Sequence, residues 1–255
     1  MIEICAIASG SNGNCYYIGN EESAVLIDAG ISCLRIMERM KQKNLNPEKI
    51  KAVFISHEHT DHIKGARVFC KKNGIRAYMT ERTWQGSGIS DRPGDVVFFD
   101  PGDTIEIDAF TVYTFLKKHD AAEPCSFRIN YQHINVGVFT DIGEACENVS
   151  CHFRQCQALF LESNYDEDKL WTGRYPYYLK KRIASSHGHL SNLQALELLR
   201  AHHHPDLQMV LLSHLSEENN APELALSTFQ PFKEHFSIIA TDRYASGKVY
   251  RIVGS

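Results

Sequence analysis

The sequence predicts a single domain of mixed α and β structure, and three observations carry that expectation. A chain of 255 residues, with 43% hydrophobic and 10% aromatic residues, is long enough to bury a sizeable core and lies within the range of one large layered domain. Short apolar and β-branched runs recur along it, most of them set apart by Gly, Asn, Asp or Pro, as successive strands should be. Helix-like patterns fall between those runs in both halves, with no long linker, repeat or low-complexity tract to separate two domains.

In the first half the strand candidates are "IEICAI", "CYYIG", "AVLIDAG", "AVFISH", "RAYMT", "DVVFF", "TIEI" and "FTVYTFL". Between them, "SCLRIMERMKQKN" reads as a helix capped by Ser32, with Leu34, Met37 and Met40 along one face. "DHIKGARVFCKKNG" reads as a short helix ending at Gly74. In the second half "CSFRINYQHINVGVFTD" is a hairpin pattern, "IGEACENVSCHFRQC" a helix and "QALFLES" a strand. The helices "YPYYLKKRI" and "SNLQALELLRAHHH" follow, then the apolar strand "LQMVLLSH", the helix "APELALSTFQPFKEH" and the strands "SIIATD" and "KVYRIV".

Composition narrows the class. The formal net charge of −4, from 27 basic and 31 acidic residues, gives no global attraction to nucleic acid, so such a partner needs a local basic patch. There is no 18-residue apolar run, which argues against a membrane span. "MIEICAIASGSNGN" reads as a short strand, not as a signal segment. Eight cysteines fall singly with no CxxC pair, a pattern that suits reduced, mostly buried thiols in a cytoplasm. Cys146, Cys151 and Cys156 stand five apart, which drifts around a helix, so they read as core cysteines and not as a metal knuckle.

"ISHEHTDHIKG" crowds His57, Glu58, His59, Asp61 and His62 onto one turn after an apolar strand. His57 and His59, two apart in extended chain, point the same way and can reach one ion, while Asp61 and His62 can reach a second beside it. Further ligand types stand where other strands end: His119, Asp141 and His214. Strand ends are where α/β sites are usually built. All these donors are N or O, which suits two divalent ions of Zn²⁺, Mn²⁺ or Fe without choosing among them. The stretch "GSGIS" at 86–90 lacks the GxSxG spacing of a serine hydrolase. His133, His152, His202, His203, His204 and His235 read as residues without a role in the site.

Asp28 in "VLIDAG", the "HEHTDH" turn, His119, Asp141 in "TDIG" and His214 in "LSHLS" together resemble the metallo-β-lactamase superfamily. The resemblance implies a four-layer αββα sandwich spanning residues 1–255. It implies that His57, His59 and His119 hold one metal, that Asp61, His62 and His214 hold the other, and that Asp141 bridges them. Asp28 would steady the "HEHTDH" turn by hydrogen bonds. A hydroxide held between the metals would attack the substrate, with Asp61 counted among the catalytic residues.

Three stretches bear on the substrate. The loop Ser9–Asn14 is either a plain hairpin or a backbone-amide nest able to hold phosphate. "GRYPYYLKKRIASSHGHLSN" sets Lys180, Lys181 and Arg182 beside His187, His189 and Asn192, and Lys117 and Lys118 precede His119. With "SGSNGNCY" and "LSHLSEENNAPELA", these motifs resemble the YycJ/WalJ-type subgroup, near the ribonuclease Z and ribonuclease J branch. That resemblance implies a 5′-to-3′ exonuclease on double-stranded DNA that serves DNA repair. His189 would steady or protonate the leaving oxygen, as transition-state donor or general acid, and Ser9, Ser11, Asn12, Gly13, Asn14 and Asn192 would position the phosphate. The stretch from Asp141 to His214 is too short to carry the β-CASP domain of ribonuclease J. Hydrolysis of a thioester or lactone, or RNA processing, is the alternative within the same superfamily.

Overall fold

Strands buried on both faces dictate the architecture. A computed structural model of the chain describes residues 1–89 and 96–254. Ser90, at the end of "GSGIS", and Asp95, at the start of "DVVFF", lie outside the described residues. In the first half run β1 (Ile2–Ala8), β2 (Cys15–Gly19), β3 (Ala24–Ile27), α1 (Cys33–Gln42), β4 (Ile50–Phe54), α2 (Thr60–Ile63), α3 (Ala66–Asn73), β5 (Arg76–Met79), α4 (Glu81–Gly86) and β6 (Val96–Phe98). Next come β7 (Thr104–Ile107), β8 (Phe110–Leu116), β9 (Cys125–Tyr131), β10 (Ile134–Phe139), α5 (Glu147–Phe153), β11 (Ala158–Glu162), α6 (Glu167–Thr172) and α7 (Tyr177–Ile183). The chain closes with α8 (Asn192–His202), β12 (Met209–Ser213), α9 (Pro222–Thr228), β13 (Ser237–Ala240) and β14 (Tyr250–Ile252).

Among the described residues the strands form two seven-stranded sheets, ordered β14-β1-β2-β3-β4-β5-β6 and β13-β12-β11-β10-β9-β8-β7. Alternate side chains separate three cores. Ile4, Tyr16, Ile27 and Phe54 of one sheet meet Phe110, Phe127, Val136 and Phe160 of the other in the middle of the sandwich. On the outer face of the first sheet, Cys5, Leu26 and Val53 pack against Ile36 and Met40 of α1 and Phe69 of α3. On the outer face of the second, Phe139, Leu161 and Leu212 pack against Phe153 of α5, Leu196 and Leu199 of α8 and Ala225 of α9. The layers are therefore α, β, β and α in one domain, and burial on both faces explains why the strands read as near-continuous apolar runs.

Several local readings change. α1 is capped by Ser32, whose side chain accepts from Arg35 N, but its buried face is Cys33, Ile36 and Met40, and Leu34 points to solvent. The helix expected from Asp61 to Gly74 is two pieces broken at Gly65, where an added Cβ would meet Ile31 O at 1.9 Å. α4 and α6 were not foreseen, because each is short and lacks an apolar period. α8 begins with a reciprocal capping box between Ser191 and Gln194. Of the three cysteines expected in the core, Cys156 is buried, Cys146 is half-buried and Cys151 is exposed. No helix among the described residues is long and apolar enough to cross a membrane.

His152 does structural work. Its ring stacks on Phe115 with centroids 4.0 Å apart, and its Nδ1 accepts from Arg128 Nε at 3.2 Å. Burial, then the Arg128 charge, lowers its pKa from 6.5 to about 4. Between those values the unfolded chain holds the extra proton, so this residue's contribution is present above pH 6.5 and lost as pH falls toward 4. We expect urea midpoints to decline over that window and the decline to flatten in His152→Leu. An unaltered slope in the variant would remove the assignment.

Candidate metal centre

Every side chain of the site leaves the end of a strand. β3 delivers Asp28; β4 delivers Ser56, His57 and the turn into α2 that carries His59, Asp61 and His62; β8 delivers His119; β10 delivers Asp141; β11 ends on Glu162; and β12 delivers His214. The two sheets thus bring their strand ends together along one edge of the sandwich. Asp28, Asp141 and His214 have φ of 62°, 55° and 55°. This left-handed conformation, tolerated best by Asp, Asn and His among residues with a Cβ, turns the chain sharply so that the side chain faces the site. The "DAG" loop then lies backbone to backbone against α2: Ala29 N donates to His62 O, and a Cβ on Gly30 would meet Asp61 O at 1.6 Å.

Four overlapping groups of possible ligand atoms gather here among the described residues, including one set from His57, His59 and His119 and a second set from Asp61, His62 and His214; the others join Asp141 to His57 and His62, and to Glu162, His189 and His214. His57 Nε2 lies 3.0 Å from His59 Nδ1. In the second set, Asp61 Oδ2 stands 3.5 Å from both His62 Nε2 and His214 Nε2. Asp141 sits between the sets, with Oδ2 3.0 Å from His62 Nε2 and Oδ1 3.7 Å from His119 Nε2.

The imidazole tautomers are fixed from behind. His119 Nδ1 faces the carbonyl of Gly188 at 2.9 Å, and a carbonyl can only accept, so Nδ1 carries the proton. His62 Nδ1 faces Asp28 Oδ2 at 2.7 Å and His214 Nδ1 faces Glu162 Oε1 at 2.9 Å. All three rings therefore turn Nε2 toward the centre, where the neutral ring offers a lone pair, the arrangement of metal-binding histidines with fixed outer partners. His119 Nε2 and His214 Nε2 are shut from solvent with no hydrogen-bond partner. Buried, unpaired lone pairs are costly unless a cation takes them, so these residues fit a divalent metal.

The electrostatics agree. Burial resists charge on His214, but Asp141, Asp61 and Glu162 outweigh it and lift the imidazole to about 10. His62 is also raised, because Asp141, Asp28 and Asp61 outweigh its burial. His57 is held low by burial and by His62 and Lys117, and His119 is held low chiefly by burial. Burial alone would raise Asp141 and Glu162; His214 and His62 lower the first, and His189 and His214 lower the second. The pocket is a negative well that draws positive charge onto itself.

Asp28 accepts from Ser56 N at 2.8 Å and from Ser56 Oγ at 3.0 Å, besides facing His62. His189 borders the centre, its Nδ1 2.8 Å from Glu162 Oε1 and 3.6 Å from Asp141 Oδ1. The Ser9–Asn14 loop divides. Ser9 Oγ accepts from His214 N at 2.9 Å, and Asn14 Nδ2 lies 3.1 Å from His62 Nε2 and 3.4 Å from Asp61 Oδ2. Both side chains are buried, Gly13 closes the turn through its N–H to Gly10 O, and Ser11 and Asn12 are exposed. Asn192 is buried in a network with Ser163 and Asn220.

Of the lysines expected to face a phosphodiester, Lys117 and Lys180 are buried. Lys117 donates to Thr140 O at 2.7 Å, and Lys180 donates to Trp171 O and Gly173 O. Lys118 pairs with Glu144 and Arg182 with Asp120. Glu162 was missed in the sequence although "QALFLES" carries the strand-end signal that marked Asp141 and His214. Ser56 has no signal beyond being small and hydroxylated.

Comparison with known proteins agrees with this geometry. The model of the metallo-β-lactamase superfamily matches residues 8–113. The exodeoxyribonuclease YycJ of Bacillus anthracis is 34% identical over 237 residues, 91% of this chain and 90% of its own. The exodeoxyribonuclease WalJ of Streptococcus pneumoniae is 34% identical over 227 residues, 87% of this chain and 84% of its own. Among solved structures, the metallo-β-lactamase fold protein YhfI of Bacillus subtilis aligns over 98% of both chains with a TM-score of 0.74 at 17% identity, a likeness of fold.

Removing the carboxylate behind His214 and His189 tests the outer partners. Glu162→Gln should weaken metal binding by about 10–100-fold in chelator competition at neutral pH. Affinity equal to the parent protein's would mean that Glu162 does not orient a ligand.

Proposed function

Because the chain belongs to the metallo-β-lactamase superfamily, we propose that it is a two-metal phosphodiesterase, a 5′-to-3′ exonuclease on double-stranded DNA that serves repair. The observation that carries this reading is the likeness to exodeoxyribonucleases over about nine tenths of the chain, with every member of both ligand sets at the strand-end cluster. The donor set of imidazoles and carboxylates suits Zn²⁺, Mn²⁺ or Fe. Eight unpaired cysteines support a reducing compartment, the cytoplasm. These residues would hold divalent cations, which when bound would supply Lewis acidity toward phosphoryl oxygens and lower the pKa of water toward about 7.

The chain's own groups do the rest. Asp141 stands between the two ligand sets and ties them to one spacing. Asp61 is less buried than Asp141, so it faces both a ligand set and the open side of the centre. Glu162 holds the proton of His189 on Nδ1, and the ring is partly exposed. Its Nε2 is then the nitrogen that, in the protonated ring, donates to the leaving oxygen as the phosphodiester breaks. Ser11 and Asn12, exposed on the loop above His214, would meet the phosphate, while Ser9 and Asn14 keep that loop and the ligands in register.

Protein stripped of metal and resupplied with Mn²⁺, Zn²⁺ or Fe²⁺ should release 5′ label from duplex DNA, and chelator should stop it. Digestion of thioesters or lactones alone would overturn the nuclease reading, and digestion of RNA alone would overturn DNA as the substrate. Asp61→Ala and His59→Ala should each abolish turnover with an unchanged circular dichroism spectrum. His189→Ala should lower kcat about 10²–10⁴-fold with a smaller change in KM. A kcat within two-fold of the parent would exclude His189 as the acid.

A further inference from the structure

Large aromatic side chains exposed to water are few among the described residues: Trp171, Tyr177, Tyr178 and Tyr244. Three of them fall within "WTGRYPYYLKKR", residues 171–182, which also carries Arg174, Lys180, Lys181 and Arg182 and no acidic residue. In a chain of net charge −4 this is a local reversal of sign.

α7 arranges these groups on one side. Tyr177 and Lys181 are one helical turn apart, as are Tyr178 and Arg182, and all four are exposed, so rings and basic groups share the solvent side of the helix. Lys181 Nζ stands 5.0 Å from the centre of the Tyr177 ring, and Trp171 at the end of α6 lies 6.3 Å from the same ring. From the opposite face, the buried Lys180 donates to the carbonyls of Trp171 and Gly173, which fixes the end of α6 against α7. The aromatic rings therefore sit on a framework held from below.

The same face is continuous with the metal centre. Arg182 pairs with Asp120, and Asp120 Oδ1 lies 3.4 Å from His119 Nε2. The turn that follows α7 supplies Gly188, whose carbonyl accepts from His119 Nδ1 at 2.9 Å, and then His189.

Aromatic faces that stack on bases, interleaved with cations that meet phosphates, are the chemistry of single-stranded nucleic-acid binding. We propose that Trp171, Tyr177 and Tyr178, with Lys181 and Arg174, form a platform for unpaired DNA nucleotides adjoining the phosphodiester held at the metal centre. The proposal rests on the nuclease reading and adds that the strand is unstacked where it crosses α7. A lipid surface also attracts aromatic and basic groups, but the continuity with His119 favours DNA.

The chain has two tryptophans, so Trp84→Phe leaves Trp171 as the single reporter. Titration with a ten-nucleotide oligothymidylate should quench its fluorescence, and added salt should weaken the effect. In Tyr177→Ala/Tyr178→Ala, the ratio of kcat/KM for DNA with a single-stranded end to that for bis(p-nitrophenyl) phosphate should fall about ten-fold or more. Tyr177→Phe/Tyr178→Phe, which keeps the ring faces, should hold the parent ratio. An unchanged ratio in the alanine variant without quenching would overturn the platform even if the parent protein digests DNA. A spectral response to phosphatidylserine vesicles but not to the oligonucleotide would overturn it in favour of a membrane surface. Failure of the nuclease reading would show separately, as a parent protein that leaves every DNA substrate intact.

Discussion

Four buried or half-buried carboxylates and six imidazoles share one pocket, and the rest of the structure is arranged around keeping them there. Asp28, Asp61, Asp141 and Glu162 would repel one another if water were simply removed from around them. They are tolerated because each faces an imidazole and because Asp28 and Glu162 also accept from backbone N–H groups, Ser56 N for the first and Ile142 N and Leu190 N for the second. The result is a negative well lined by nitrogen lone pairs. The surrounding carboxylates raise the proton affinity of His62 and His214, and a divalent ion would answer the same demand with more charge.

The sandwich supplies the rigidity that such a cluster requires. Ligands come from both sheets, so the distance between the two ligand sets is set by how the sheets pack, through Tyr16, Phe54, Phe127 and Phe160 in the middle core. Three of the strand ends turn through a left-handed residue, each costing on the order of 1–2 kcal/mol when the residue is not glycine. That cost is held by dense packing on both sides of the strands. Gly30, pressed against the backbone of Asp61, shows how closely the loops must approach for His62 to reach its place.

Charge is distributed to the same end. The chain as a whole is mildly acidic, and much of its positive charge near the site is already engaged: Lys117 and Lys180 in carbonyl contacts, Lys118 and Arg182 with carboxylates. On the exposed side of α7, Lys181 stands beside the ring of Tyr177.

The sequence by itself determined the mixed α/β class, the order of nearly every strand and the histidines and aspartates that meet at the strand-end cluster. Those readings depend on local pattern: an apolar run long enough to be a strand, ended by a ligand type, is legible wherever it occurs. The resemblance named Asp28 as one residue standing behind the ligands; only the tertiary structure decided the others and which ring each one meets. Glu162 meets His189 and His214, Asp28 meets His62, and Gly188 meets His119 across gaps of 27 to 69 positions in the chain. Burial of Lys117 and Lys180 was likewise invisible, because a lysine in a basic run looks solvated until the neighbouring carbonyls that take its protons are known. Local periodicity reports which face of an element is apolar; it carries no information on which distant polar atom that face will bring within three ångströms.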